Sequence, residues 1–112
     1  MNKEEALKLV FKISNSIDYE VDDKTVTILE KQDHAIQKFF RKLKFKIPFY
    51  KRVKLDKYGS FIFLQIDGRK TVEEIGKSLE HEYGEKTHPL YERLLMYLNH
   101  IDVNCNYIER VQ

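Results

Sequence analysis

The chain has 112 residues, of which 42% are hydrophobic and 34% are charged, and its net charge is +2. This length suits a single domain spanning 1–112, and the composition is ordinary for a globular protein. Cys105 is the one cysteine, which excludes an intrachain disulfide and fits a reducing cytoplasm. We expect a cytoplasmic protein with neither a signal peptide nor a membrane span, because no apolar run has the required length.

The charge is unevenly spread along the sequence. Residues 1–37 carry a net charge of −3 and residues 58–112 also carry −3. Residues 38–57 hold nine basic residues against one acidic residue, which gives +8. Three interpretations of this basic island stay open: a solvated surface loop, a patch that faces a peptide, and a nucleic-acid or membrane surface.

The N-terminal part of the chain predicts a helix and then a β-hairpin. Residues 2–15 carry apolar residues at helical spacing, and Asn2 can cap a helix there. Residues 17–30 contain two β-forming runs separated by a tight polar turn at Asp22-Asp23. Alternation in the second run places two apolar side chains on one face: Val26 and Ile28.

The middle of the chain predicts a third strand. Residues 33–43 fit either an amphipathic helix or an ordered loop. Residues 50–55 suit a strand whose side chains alternate in direction, with Val53 and Leu55 on one face and Arg52 and Lys54 on the other. Lysines on one face are common on an exposed edge strand, where they discourage unwanted pairing.

Two helices are predicted after this strand. Asp56 can cap a short buried helix, although residues 61–66 taken alone also suit a strand. Thr71 and Glu74 form a capping-box pattern at the start of the next helix, in which each side chain satisfies a backbone amide of the other. Gly84 then provides the left-handed conformation that ends many helices.

A last helix and a short strand complete the predicted elements. Pro89 fits the first helical turn. The apolar stripe of the helix consists of Leu90, Leu94, Leu98 and Ile101. Tyr91, Leu95 and Tyr97 lie beside this stripe, and they fit either a binding groove or packing against the N-terminal segment. With a strand at 107–108, the order of elements predicts an α+β domain in which helices stabilise a small antiparallel sheet.

The sequence contains no pattern typical of a catalytic or metal site. The four histidines are scattered and have no cysteine or paired carboxylates at ligand spacing: His34, His81, His88 and His100. Cys105 has no basic partner nearby in the sequence, and no serine lies in a nucleophile-elbow motif. We therefore expect no enzymatic activity, no metal and no cofactor.

One segment resembles a known family, the PqqD-like proteins, named for the small protein D of pyrroloquinoline quinone biosynthesis. The pattern is Leu55-Asp56-x-x-Gly59-Ser60-x-Ile62-Phe63-x-x-Ile66-Asp67-Gly68-x-x-Thr71-Val72-Glu73-Glu74-Ile75. The resemblance covers about residues 17–109, which leaves 1–16 as an N-terminal extension and 31–48 as a basic insertion. Phe63 stands where the family usually has tryptophan, and Asn106 stands where it often has glycine. Several motif residues are expected to serve caps and turns rather than binding: Asp56, Gly59, Asp67, Gly68 and Thr71.

The resemblance implies a winged-helix-like fold of three strands and three helices. It also implies a non-catalytic recognition element for ribosomally made precursor peptides in natural product biosynthesis. The leader segment of the precursor adds as a strand beside the third strand and packs against the third helix. A tailoring enzyme, often a radical S-adenosylmethionine enzyme, then modifies the presented peptide. The expected peptide-binding residues are Lys51, Arg52, Val53, Lys54, Leu55, Tyr91, Leu94, Leu95 and Leu98.

A second class of function is a winged-helix nucleic-acid binder, which the basic island supports. A DNA reader normally carries basic or amide side chains along its recognition helix. The predicted helix 71–83 instead carries four glutamates against Lys77: Glu73, Glu74, Glu80 and Glu82. This charge argues against a nucleic-acid partner. A homodimer formed by pairing of edge strands is left open by the sequence.

Overall fold

The computed structural model describes residues 2–31 and 50–111. Its elements in chain order are α1 (Lys3–Leu7), β1 (Val10–Ile13), β2 (Asp18–Asp22), β3 (Thr25–Lys31), β4 (Tyr50–Lys54), α2 (Lys57–Gln65), α3 (Val72–Tyr83), a 3₁₀ turn (Gly84–Thr87), α4 (Leu90–Asn99), a π turn (His100–Asn104) and β5 (Ile108–Val111). No helix in these two ranges is both long and apolar enough to cross a membrane. The predicted helix or loop at 33–43 and most of the basic insertion lie outside the described residues.

The strands form two antiparallel sheets. β2, β3 and β4 make a three-stranded sheet in that order, and β1 pairs with β5 in a second, two-stranded sheet. Helices α2, α3 and α4 pack with the three-stranded sheet around one core, in which Phe63 is 1% exposed at the position where the family usually has tryptophan. The α+β class is confirmed. The β1–β5 pair and α1 go beyond the three-strand, three-helix arrangement that the resemblance implies.

The turn of the β2–β3 hairpin lies one residue later than predicted. Asp22 still pairs with Thr25, so the two turn residues are Asp23 and Lys24. Their φ angles are 47° and 65°, and positive φ at both central positions is what a type I′ turn requires. The predicted inward face of β3 is confirmed, because both of its apolar side chains are fully buried: Val26 and Ile28.

The predicted helix at 2–15 is only partly right. Asn2 caps α1 by accepting a hydrogen bond from the Glu5 N–H at 2.8 Å, but the helix ends at Leu7. Residues Val10–Ile13 instead form β1, which pairs residue by residue with β5. This segment is rich in β-branched and aromatic side chains, and the strand supplied by the C-terminal end outweighs its helical spacing.

The predicted starts of α2 and α3 are confirmed. The Asp56 carboxylate accepts a hydrogen bond from the Gly59 N–H at 2.7 Å, and the segment that follows is helical rather than extended. At α3 the capping box is complete: the Glu74 N–H donates to the Thr71 hydroxyl at 3.2 Å, and the Thr71 N–H donates to the Glu74 carboxylate at 3.0 Å. Local hydrogen bonds thus fix where both helices begin.

A residue with positive φ follows each of two helical segments, α3 and the π turn. Gly84 follows α3 with a φ of 68°. Asn106 follows the π turn with a φ of 57°, where the family often has glycine. Asparagine is one of the few other residues that adopt this region readily, so the substitution preserves the turn that leads into β5.

Acid is expected to weaken the turn at Asp67. The backbone N–H groups of Lys70 and Arg69 donate to the Asp67 carboxylate at 2.9 Å each, and they lower the pKa of this carboxyl. Their stabilising effect is therefore complete above the unfolded-state pKa of about 4 and is lost as the pH falls through the lower folded-state pKa. Asp67→Asn keeps an acceptor but does not titrate. Its difference from the wild type in free energy of unfolding should shrink on acidification, and a constant difference would contradict this account.

Glycines allow α4 to approach its two neighbouring helices. A Cβ atom on Gly59 of α2 would lie 2.6 Å from the Tyr97 hydroxyl, and one on Gly76 of α3 would lie 2.4 Å from the Tyr91 ring. Glycine inside a helix costs about 1 kcal/mol relative to alanine, so close packing explains both positions. Gly59, which is expected to serve caps and turns, also makes room for Tyr97.

Candidate functional site

β4 is an edge strand in the described part of the chain. It pairs with β3 from Thr27↔Lys54 to Lys31↔Tyr50, and no described strand pairs with its other side. The Leu55 N–H donates to the Val26 carbonyl at 2.9 Å. Because backbone groups alternate in direction along an antiparallel strand, Val53 also faces β3, whereas the N–H and C=O groups of Arg52 and Lys54 point away from it. An added strand could pair with these groups.

The side chains of β4 alternate between two faces of the sheet. Val53 lies opposite the buried Ile28 and is half-buried on the inner face, which is the face toward the helices. Leu55 continues this side and is also half-buried. Arg52 and Lys54 are exposed on the opposite, outer face. The predicted alternation is therefore present in the structure.

Two residues before Val53 on β4, the inner face carries a hydrogen bond between Glu30 and Tyr107. Lys51 is exposed, and its partner across the ladder is Glu30. The Glu30 carboxylate accepts a hydrogen bond from the hydroxyl of Tyr107, which is buried. Burial and this hydrogen bond raise the pKa of the Tyr107 phenol. Glu30 is thus tied to the core, whereas Lys51 opposite it is exposed.

The outer face changes sign from one edge strand to the other. On this face β2 presents three carboxylates, those of Asp18, Glu20 and Asp22. The central strand β3 presents the uncharged side chains of Thr25, Thr27 and Leu29. β4 presents two cations, Arg52 and Lys54. The Arg52 guanidinium donates to the Glu20 carboxylate at 2.7 Å across β3. This hydrogen bond lowers the pKa of Glu20 and raises that of Arg52. Such exposed pairs contribute little to stability.

Tyr91 and Tyr97 lie on different flanks of α4. The Tyr97 hydroxyl lies beside Gly59 and Asp56, so this flank faces the start of α2 immediately after β4. Tyr91 instead packs on Gly76 of α3, and its hydroxyl donates to the backbone carbonyl of Glu73 at 3.3 Å. Of the two tyrosines, Tyr97 is therefore the one nearest to the end of β4.

The remaining predicted helix residues lie in or near the core. Leu94 and Leu98 are each 1% exposed, so a peptide on the surface would not contact either side chain. Leu95 is half-buried against the core cluster. Next to Tyr91, the Lys3 ammonium of α1 lies 6.0 Å from the ring centroid. This contact favours packing against the N-terminal segment over a groove at Tyr91. The sequence shows the apolar stripe of α4 and offers Tyr97 as a groove candidate beside Tyr91 and Leu95, but it does not show which flank of the helix adjoins β4.

A cavity of about 160 Å³ lies among α2, α3 and α4 beside Tyr97. It is lined by residues that include Asp56, Tyr58, Leu79, Leu90 and Arg93. The Tyr97 hydroxyl is buried and has no hydrogen-bond partner among the described residues. Burial, followed by the charges of Asp56 and Cys105, raises the pKa of Tyr97 to about 12, so the phenol is protonated at neutral pH. The cavity is smaller than the roughly 300 Å³ of a typical small-molecule pocket.

The described residues contain no arrangement that suggests metal or nucleophilic chemistry. No group of three or more His, Cys, Asp and Glu side chains in 2–31 and 50–111 could hold a metal ion. The Cys105 sulfur lies 3.6 Å from Nε2 of His100, a contact that the sequence analysis did not anticipate. Burial nevertheless raises the pKa of the Cys105 thiol, which is the opposite of the shift that activates a cysteine nucleophile.

The fold and the site together define a small α+β domain with an open, cationic sheet edge next to a helical layer. The family model of coenzyme PQQ synthesis protein D (PqqD) matches residues 50–102. This match confirms, over these residues, the resemblance to PqqD-like proteins seen in the sequence. The match contains β4, α2, α3 and α4, and it ends within the π turn. Comparisons with curated proteins and with solved structures found no match.

Proposed function

We propose that this chain is a non-catalytic peptide-binding module. It recognises the leader of a ribosomally made precursor peptide by strand addition and presents the peptide to a modifying enzyme. The observation that carries the proposal is the open edge of β4 at the start of the segment that matches the PqqD family. In this mode, backbone hydrogen bonds provide affinity and alternate side-chain positions provide specificity.

The proposed contact surface consists of Lys51, Arg52, Val53, Lys54 and Leu55, with Tyr97 beyond the end of the strand. Val53 and Leu55 offer half-buried apolar area on the inner face, and the cations on the outer face would orient an acidic chain. Leu94 and Leu98 support α4 from the core in this arrangement. Contact of the peptide with Tyr91 and Leu95 stays a prediction.

The modifying enzyme in this proposal is a partner protein, and the class that the resemblance implies is a radical S-adenosylmethionine enzyme. The chain itself would contribute binding and orientation, which raise the local concentration of the peptide at the enzyme. The cytoplasmic location expected from the sequence stays a prediction.

Hydrogen exchange at the β4 edge tests strand addition directly. We expect the amides of Arg52 and Lys54 to exchange more slowly when a precursor peptide from the protein's own genomic neighbourhood binds, because their N–H groups point away from β3. The amide of Val53 serves as an internal control, since it already faces β3 and should change little. NMR-detected exchange of the isotope-labelled full chain measures all three.

One outcome would contradict strand addition, and a second would exclude the peptide tested. Peptide binding without added protection at Arg52 and Lys54 would exclude pairing at this edge. The absence of any binding would exclude that peptide as a ligand, and duplex binding with a steep salt dependence would then favour the nucleic-acid alternative.

A further inference from the structure

We propose that the β4 edge selects a peptide strand in which acidic side chains alternate with apolar ones, the acidic ones lying on the outer face. The inference rests on the proposed function and specifies its ligand class. Its basis is the change of sign across the outer face, from three carboxylates on β2 to two cations on β4. Neighbouring strands lie about 4.8 Å apart, so the two edges are separated by roughly 10 Å.

The outer positions of an added strand would lie beside Arg52 and Lys54. Directly opposed side chains on one sheet face have Cβ atoms about 5 Å apart, close enough for opposite charges to attract. Arg52 already pairs with Glu20. Lys54 is exposed and forms no salt bridge with any residue in the described ranges. Lys54 is therefore the main residue that selects an acidic side chain. Arg52 contributes less, because its charge is shared with Glu20.

The inner positions of the same strand meet a different surface. Val53 and Leu55 are half-buried there, next to the core. A charged side chain placed against Val53 or Leu55 would lose hydration, whereas an apolar side chain would bury further area. The exposed Lys51 shares this face, so the inner position beside it can hold an acidic side chain. Because strand side chains alternate strictly, the two faces together favour an alternating sequence over a block of acidic residues followed by a block of apolar ones.

The same charges disfavour the other ways to cover an edge. An acidic peptide beside β2 would meet Asp18, Glu20 and Asp22 on the outer face. Two copies of β4 paired with each other would oppose cations to cations, which is destabilising. The charges would not oppose pairing of β4 of one copy with β2 of another, but that contact joins two different edges and therefore builds rings or open chains of copies rather than a two-fold dimer.

Three synthetic peptides of equal length test the selection on the labelled full chain. One alternates valine and glutamate, one alternates valine and lysine, and one has the composition of the first in two blocks. We expect the alternating acidic peptide to shift the amides of Arg52 and Lys54 and to bind at least about tenfold more tightly than the basic one, with the preference reduced by salt. The block peptide should bind more weakly than the alternating acidic one.

A matched pair of charge reversals locates the selection. Lys54→Glu should remove most of the preference for the acidic peptide. Arg110→Glu makes the same kind of change at an exposed position of β5, in the other sheet, and should leave the preference unchanged. Equal effects of the two variants would show a general charge effect and would overturn the assignment to β4.

The outcomes separate this inference from the proposed function. If a precursor peptide protects the β4 edge but the synthetic peptides bind equally well or not at all, strand addition stands and the charge selection is overturned. If no peptide of any kind perturbs β4, both fail. Shifts at Asp18–Asp22, or association of the protein with itself in the absence of peptide, would show that a different edge or a second copy is the occupant.

Discussion

Replacing Leu98 by alanine is expected to lower the free energy of unfolding by about 2–5 kcal/mol. Leu98 is 1% exposed near the C-terminal end of α4, and the loss of a buried branched side chain leaves a cavity that its neighbours fill only in part. Peptide affinity of the folded fraction should change little, because this side chain does not reach the surface. Chemical denaturation measures the stability, and titration under conditions that keep the variant folded measures the affinity.

Leu98→Met is the matched control, since its similar volume should cost less than about 1.5 kcal/mol. If Leu98→Ala kept its stability but lost peptide affinity, Leu98 would be a contact residue, as the sequence analysis predicted. The comparison therefore separates support of the helix from direct recognition.

The features that were predicted correctly depend on residues close together in the chain. Asp56 caps α2 by bonding to an amide three residues away, and Thr71 and Glu74 complete a capping box over the same distance. The alternation of Val26 and Ile28 fixes which side of β3 is buried. Each of these follows from local geometry and needs no knowledge of the rest of the fold.

The features that were missed depend on partners far away in the chain. β1 pairs with β5, which joins the two ends of the described structure. Residues 10–13 satisfy both a helical and a strand pattern, and only the presence of β5 decides between them. A local pattern does not show that partner, so the helix predicted at 2–15 was too long.

The same limit applies at the candidate site, where the peptide-binding residues stay a prediction. The sequence gives α4 a buried stripe with apolar residues on both flanks, but the packing of α2 and α3 decides which flank adjoins β4. At Gly59 of α2 and Gly76 of α3, the side chains of Tyr97 and Tyr91 of α4 occupy the space that a Cβ atom would need. A glycine inside a predicted helix is unfavourable by its own propensity, and it was therefore the available signal of a close contact.

Replacing Gly59 by alanine tests this contact and is expected to destabilise the protein. The new Cβ would lie 2.6 Å from the Tyr97 hydroxyl and 3.0 Å from the Asp56 carboxylate. Overpacking of this kind costs about 1–3 kcal/mol, against about 1 kcal/mol that alanine gains over glycine within a helix. Thermal or chemical denaturation measures the net change.

The Tyr97→Phe background identifies the atom responsible. The Tyr97 hydroxyl is buried without a partner among the described residues, so its removal should be neutral or stabilising by up to about 1 kcal/mol. Gly59→Ala should then cost less in Tyr97→Phe than in the wild type, with a coupling energy of at least about 0.5 kcal/mol. Equal costs in the two backgrounds would show that the hydroxyl does not limit the approach of α2 to α4. Peptide titration of Tyr97→Phe adds a functional measurement: unchanged affinity means that the hydroxyl only packs, whereas a clear loss means that this hydroxyl, buried in the free protein, becomes accessible and donates to the bound chain.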